Sequence, residues 1–323
     1  MAGGFAHITL VDTICKDGDA LDGIPSLTPA MKQALGYHLN FVELGAVSPD
    51  YPYLSLLDSN SAGWANVMHY WRTLDFVRKA VPIVYEMNFS RTATKKCIAW
   101  LFGYAAHLVT DLTIHPMVNL KVGCYEQNKR QHRVCEINQD VYIFNAINHD
   151  DITRAEYIQN AGIASCCVPG DPHHLDHAVA DLWRLCLPDF HEVVFATKPN
   201  LERPTAAPDP DKWHSHFVFS VGSIAEEGRR LLPLARYIAQ ELGLVYPTIG
   251  NLDRSFIDSL ETPEGSMPYD TIFDRAKANV IAVWDQLGRA LDTNDASALR
   301  IPNGNLDTGC DDTGTMIFWK ERP

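Results

Sequence analysis

Residues 92–118, TATKKCIAWLFGYAAHLVTDLTIHPMV, are apolar on most faces of a helical wheel, yet they carry His107, Asp111 and His115 at successive four-residue steps. Four residues advance a helix by about 40° beyond a full turn, so the three side chains lie along one stripe. An ionised Asp and two imidazoles on such a helix are costly to bury unless they are paired or bound to metal. Eight residues of helix rise about 12 Å, too far for His107 and His115 to hold the same ion. The stripe therefore predicts more than one ion, with Asp111 able to bridge from the middle.

Working outward, helical periodicity dominates and alternating strands are scarce. Residues 26–47 read as one helix, with Ser26 or Thr28 as cap, Pro29 in the first turn and Gly45 as stop. Residues 65–87 continue in the same period until Pro82 kinks or ends them, and Pro116 is expected to close the central helix. Further helices are expected at 132–147, 155–162, 174–190, 215–243 and 271–291. The stretches 197–213 and 300–316, rich in Pro, Gly, Asp and Asn, read as loops. The expected fold is mainly α, a multi-helix single domain over 1–323 whose core can receive ligands from several helices.

Composition narrows the function. The chain of 323 residues has a formal net charge of −13, which disfavours broad capture of nucleic acid, although a metal-lined pocket can still be locally cationic. No apolar run is read as a membrane span. The eight cysteines are scattered without a CxxC pair, so free thiols are expected rather than a disulfide scaffold or a cysteine-only zinc site. No basic leader with a long apolar stretch is visible, so a cytoplasmic location is expected as written, and secretion if a leader has been removed.

Other residues join the stripe. His132 and Glu136 repeat the four-residue spacing and could supply two ligands to the ion held by His115. His69 lies in VMHYW on another helix, Asp50 ends the turn-like SPD, and His7 is near the N-terminus.

In this order, His7, Asp50 in GAVSPDYPYL, His69 followed by Trp71, the HLVTDLTIH run, and His132 with Glu136 resemble the ligand series of zinc-dependent phospholipase C. The series also resembles the catalytic domain of glycosylphosphatidylinositol-specific phospholipase D and, in architecture, the zinc single-strand nucleases. The resemblance covers roughly the first 140 residues and implies two or three zinc ions. Asp50, His69, His107 and Asp111 would surround one, His115, His132 and Glu136 a second, and His7 with shared Asp111 a third.

In that family the third ion also uses the amine and carbonyl of the mature N-terminal residue. Here no Trp stands at that place, and loss of Met1 would leave Ala2 five residues before His7.

The implied activity is phosphoester hydrolysis by metal-activated water, on a phospholipid head group or related small phosphoester, with transient membrane-surface contact and Asp50 as the catalytic carboxylate. A single-strand nuclease or nucleotidase of the same fold is the first alternative. A non-catalytic or biosynthetic accessory protein with a retained metal site is the second.

Several features are assigned no chemistry. His173, His174 and His177 read as the start of a surface helix, and His214 and His216 are ambiguous. Tyr51, Tyr53, Trp64, Tyr70 and Trp71 either shape recognition or pack. Asp307, Asp311 and Asp312 in the tail read as a solvated loop.

Overall fold

A computed structural model describes residues 3–54, 58–87, 91–149, 152, 162–187, 196, 202–216 and 246–320. The chain is mainly α. Ten helices lie with both ends inside the described residues: α1 (Gly4–Cys15), α2 (Gly18–Asp22), α3 (Pro29–Tyr37), α4 (Leu39–Val47), α5 (Ser59–Tyr70), α6 (Thr73–Glu86), α7 (Arg91–Val122), α8 (Tyr125–Asn148), α9 (His177–Cys186) and α10 (Tyr269–Thr293); residues 210–216 are helical too, so the stretch 197–213 expected to be a loop ends in helix. A 3-10 segment, Ser48–Leu54, follows α4. The described strands form two small antiparallel hairpins, Cys167–Val168 with Asp171–Leu175 and Leu260–Thr262 with Gly265–Met267. The helices expected at 155–162 and 215–243 lie outside the described residues, apart from 162, 215 and 216.

The central helix α7 is the axis of the core, with α1, α3, α4, α6, α8, α9 and α10 packed around it. Contrary to the expectation of no membrane-length run, Thr92–Val122 is long and apolar enough to cross a bilayer by length and composition. Its most apolar window is 94% buried inside the protein, as a core helix would be. Pro116 does not close it either. Proline removes one i→i−4 bond, to the carbonyl of Leu112, and the buried faces on both sides keep the helix going. Pro82 likewise sits inside α6 without ending it.

Two other boundaries differ from expectation for tertiary reasons. Residues 26–47 form two helices, broken at His38 (φ −121°, ψ 39°), although Thr28 caps the first by accepting from Met31 N. Gly45 is not a stop. A Cβ there would lie on the Trp100 carbonyl and 2.7 Å from Tyr104 N, and a Cβ on Gly103 would lie on the Val42 carbonyl and 2.9 Å from Ala46 N. The two glycines let α4 and α7 touch backbone to backbone.

Residues 65–87 break where Trp71 becomes extended and Arg72 turns left-handed (φ 50°), with α6 restarting at Thr73. The break ends α5 just after His69 and turns the chain back onto α7.

The start of α1 is fixed by α8. The Asp140 carboxylate accepts the amides of Ala6 (2.7 Å) and Phe5 (3.3 Å) and the hydroxyl of Tyr246 (3.2 Å). A Cβ on Gly3 would overlap that carboxylate. Burial pushes the Asp140 carboxyl up to about 7, against the opposing effect of the amide hydrogen bonds. All eight cysteines are thiols outside disulfides.

Candidate metal centre

Each of the eight residues singled out in the sequence is placed by a different local device. His7 comes from α1, which Asp140 holds in register. Asp50 lies in the 3-10 segment after α4, and His69 on the last turn of α5, whose N-terminus Asp58 caps by accepting from Asn60 N and Ser61 N. His107, Asp111 and His115 stripe α7, and His132 and Glu136 stripe α8. All but Asp50 are buried, and Asp50 keeps 14% of its side chain exposed.

Asp111 stands at the middle. Its Oδ1 is 3.2 Å from His7 Nε2 and 3.4 Å from His115 Nε2, and its Oδ2 is 3.3 Å from His107 Nε2. Asp50 Oδ1 lies 3.1 Å from His69 Nε2 and 3.9 Å from His107 Nε2. The His7 and His107 rings stack at 4.2 Å, which lets their Nε2 atoms reach the two oxygens of one carboxylate.

These separations can be set against those of a hydrogen-bonded network and of a metal site. Charge-assisted N–H···O bonds run at about 2.7–2.9 Å. A tetrahedral zinc with bonds of about 2.0–2.1 Å holds its ligand atoms about 3.3–3.4 Å apart. Asp111 and its three histidines sit at the second spacing.

The other ring nitrogens support the same reading. His107 Nδ1 is 2.8 Å from the Ala46 carbonyl, His69 Nδ1 is 2.9 Å from Ala65 O, and His132 Nε2 is 2.6 Å from Gly123 O. A carbonyl only accepts, so each of those nitrogens carries the proton, and in the neutral ring the opposite one offers a lone pair. For His107 and His132 that opposite nitrogen is buried and makes no hydrogen bond among the described residues. A buried lone pair without a donor is the arrangement a cation completes.

The electrostatics agree with ionised carboxylates. Burial pushes Asp111 up, and the His107 and His7 imidazoles outweigh it, holding the carboxyl well below the usual range. Burial also opposes ionisation of Asp50, where His107 and His69 win. Glu136 behaves differently: burial raises it above the ordinary glutamate value.

Among the described residues, two groups bring three ligand atoms within 4.8 Å of one another, His7 with His107 and Asp111, and Asp50 with His69 and His107. They share His107 Nε2, and one lone pair holds one ion, so the two groups are not complete at the same time as separate sites. The set on α8 is looser. His132 Nδ1 lies 3.9 Å from Glu136 Oε1, and the His115 and His132 rings are 6.5 Å apart.

The sequence reading missed Asp307. That residue is not in a solvated loop: its Oδ1 lies 3.8 Å from His115 Nδ1 with 13% of the side chain exposed. Asp311 does fit the loop reading, since its Oδ1 accepts from Thr313 N and Thr315 N in an exposed turn. His173 and His174 are exposed on the second strand of the first hairpin, and the helix starts only at His177, capped by Asp176. His214 is buried beside Tyr51, away from the stripe's polar contacts.

A helical body with buried His and Asp groups that could hold a metal ion is the class of protein the fold and the site describe. The chain belongs to the zinc dependent phospholipase C family, whose model matches residues 6–188, more than half of its length. Membership implies hydrolase activity and dependence on zinc. No curated protein and no solved structure matches the chain.

Proposed function

We propose that the protein is a phospholipase C-like phosphoester hydrolase that holds zinc with eight side chains. Asp50, His69, His107 and Asp111 would hold one ion, His115, His132 and Glu136 a second, and His7 with Asp111 a third. The observation that carries this is the spacing of about one tetrahedral edge around Asp111, together with ring nitrogens locked by backbone carbonyls.

Zinc in such a site supplies Lewis acidity, activating water and offsetting charge on the phosphoryl oxygens. The chain's own residues do the rest. Asp111, ionised and fully buried, divides its two oxygens between neighbouring ligand groups. Ala46, Ala65 and Gly123 fix the histidine tautomers before substrate arrives. Asp50 is the half of the centre that meets solvent. One of its oxygens faces His69, and the other orients and deprotonates the water that attacks phosphorus. The substrate is a phospholipid head group or a related small phosphoester, met at a membrane surface by transient contact. A net charge of −13 weighs against a long nucleic-acid track.

The test is hydrolysis of phosphatidylcholine, phosphatidylinositol and single-stranded DNA side by side, with chelator and with zinc restored. The proposal expects chelator-sensitive release of a lipid head group and its loss in Asp50→Asn with the fold intact. Turnover of DNA alone would make the protein a nuclease of this architecture. Function that survives Asp50→Asn and His69→Ala would leave the centre a structural one.

A further inference from the structure

The corner where α7 passes into α8 reverses the charge of the chain. Residues 119–133, NLKVGCYEQNKRQHR, hold four cations against one carboxylate, a formal +3 in a protein of −13. Surface cations elsewhere sit on carboxylates: Lys32 on Asp22, Lys212 on Asp58, Arg254 on Asp258 and Arg289 on Asp285. Lys121, Lys129 and Arg133 are exposed, and among the described residues no carboxylate pairs with them. Lys121 lies over the Phe256 ring and Lys129 over the Tyr125 ring, each at 5.8 Å. In the last turn of α7, beside Lys121, Leu120 is 54% exposed.

This corner is also a wall of the metal centre. The Gly123 carbonyl lies 2.6 Å from His132 Nε2, and the Tyr125 ring meets the His132 ring edge-on at 5.3 Å. Burial, Glu136 and Asp307 push the Tyr125 phenol up to about 12, while Arg133 pulls it the other way. Tyr125 thus stands between carboxylates of the centre and the cations of the surface. On α8, Lys129 and Arg133 are four residues apart and share a flank of the helix next to His132.

Three features select the partner. Unpaired cations call for anions. An exposed leucine beside a lysine fits the boundary between head groups and acyl chains, where the apolar group is buried and the ammonium stays at the phosphates. Three unpaired cations on an acidic chain are few for a nucleic-acid track, which draws its affinity from many phosphate contacts. They are enough for transient attachment to an anionic bilayer surface, where each basic residue strengthens binding about 5-fold.

Resting on the reading of the centre as a phospholipid head-group hydrolase, we infer that the α7–α8 corner is the surface on which the protein docks to a bilayer containing anionic phospholipid. Leu120 enters the head-group boundary, and Lys121, Lys129 and Arg133 meet the anionic head groups. Docking in this way sets the wall that carries Tyr125 and His132 against the membrane.

The experiment is sedimentation of the full, zinc-loaded chain with vesicles of phosphatidylcholine alone and of phosphatidylcholine mixed with phosphatidylserine, at low and at high salt. Single-stranded DNA is titrated in parallel. The variants are Leu120→Ser, the single changes Lys121→Gln, Lys129→Gln and Arg133→Gln, and the triple variant that combines those three. Lys95→Gln is the control, about 40 Å away towards the other end of α7. Zinc content and thermal unfolding are recorded for each.

The wild type is expected to prefer the serine-containing vesicles and to lose that preference as salt rises. Each single change to Gln should weaken binding about 5-fold and the triple variant about 100-fold. Leu120→Ser should weaken it about 10-fold, and Lys95→Gln should bind as the wild type does. If the triple variant fails to fold, the single variants carry the test.

Equal binding of the wild type to both kinds of vesicle would overturn the inference, as would serine-dependent binding that survives in the folded triple variant. Binding of DNA instead of vesicles, lost in the triple variant, would make the corner a nucleic-acid surface and overturn it as well. Head-group release from short-chain phosphatidylcholine and phosphatidylinositol, dissolved as monomers, needs no surface and reads the hydrolase assignment separately. Turnover of those monomers without docking would overturn this inference alone, whereas docking without any turnover would support the surface and overturn the hydrolase reading.

Discussion

The substitution Gly103→Ala tests whether the contact between α4 and α7 positions the metal centre. The added Cβ would fall on the Val42 carbonyl oxygen and 2.9 Å from Ala46 N, and both obstacles are backbone, which no rotamer change can clear. Restoring van der Waals distance requires the helices to part by about 1 Å. Such overpacking costs about 1–3 kcal/mol, or more where backbone must move.

The same displacement pulls the Ala46 carbonyl from His107 Nδ1, now 2.8 Å away, and frees the tautomer of the ring that both compact ligand groups share. Zinc affinity should then fall by about 10–100-fold at the ion held by His107, by loss of an outer anchor alone. The assay pairs chemical unfolding of the metal-free chain with zinc competition. Gly36→Ala is the control: it too lies in a helix, nothing surrounds its Cβ position, and replacing it should be neutral or gain up to about 1 kcal/mol from helix propensity. Wild-type stability and zinc affinity in Gly103→Ala would refute the argument that this crossing sets the His107 geometry.

Other outcomes follow from the same geometry. Asp111→Asn should disturb at least two ions at once, because the carboxylate faces His7, His107 and His115; zinc stoichiometry after dialysis reads this, and loss of a single ion would contradict bridging. Asp140→Ala removes the acceptor for Ala6 N and Phe5 N and should cost about 1–2 kcal/mol, as loss of a helix cap does, with weakened zinc at His7. Burial lowers His214 to about 4, so between pH ~6.5 and ~4 the unfolded chain takes a proton that the folded chain refuses. Stability should therefore fall by about 3 kcal/mol as pH drops through that window, and His214→Phe should flatten the profile of midpoint against pH. Glu43, pushed up to about 9 by burial and the neighbouring Asp12, gives the opposite slope. Its folded form keeps a proton the unfolded chain loses, so stability declines as pH rises from ~4.5 to ~9, and Glu43→Gln should be relatively more stable at pH 8.

The stripe on α7 was legible because four-residue spacing is a local property, and an apolar helix bearing His107, Asp111 and His115 has few ways to bury them. The central place of Asp111, between His107 and His115, followed from helical spacing alone. What failed depended on partners far away in the chain. Gly45 read as a stop until α7 supplied the Trp100 carbonyl against which no Cβ fits. Pro116 read as an end until the buried faces of α7 were seen to carry the helix past it. Asp307 had no periodicity to mark it, because its position is set by long-range hydrogen bonds, from Leu306 N to the His69 carbonyl and from the Asn119 side chain to its own carbonyl.

The central claim is that the buried carboxylate of Asp111 and the histidines around it are ligands of zinc. Anomalous scattering at the zinc edge from crystals of the full chain, with metal content measured on the same sample, tests it most directly. The account predicts at least two peaks flanking Asp111, one bonded to His107 Nε2 and one on the side of His7 or His115. A fully folded chain with no peak within bonding distance of Asp111, in the presence of excess zinc, would contradict it.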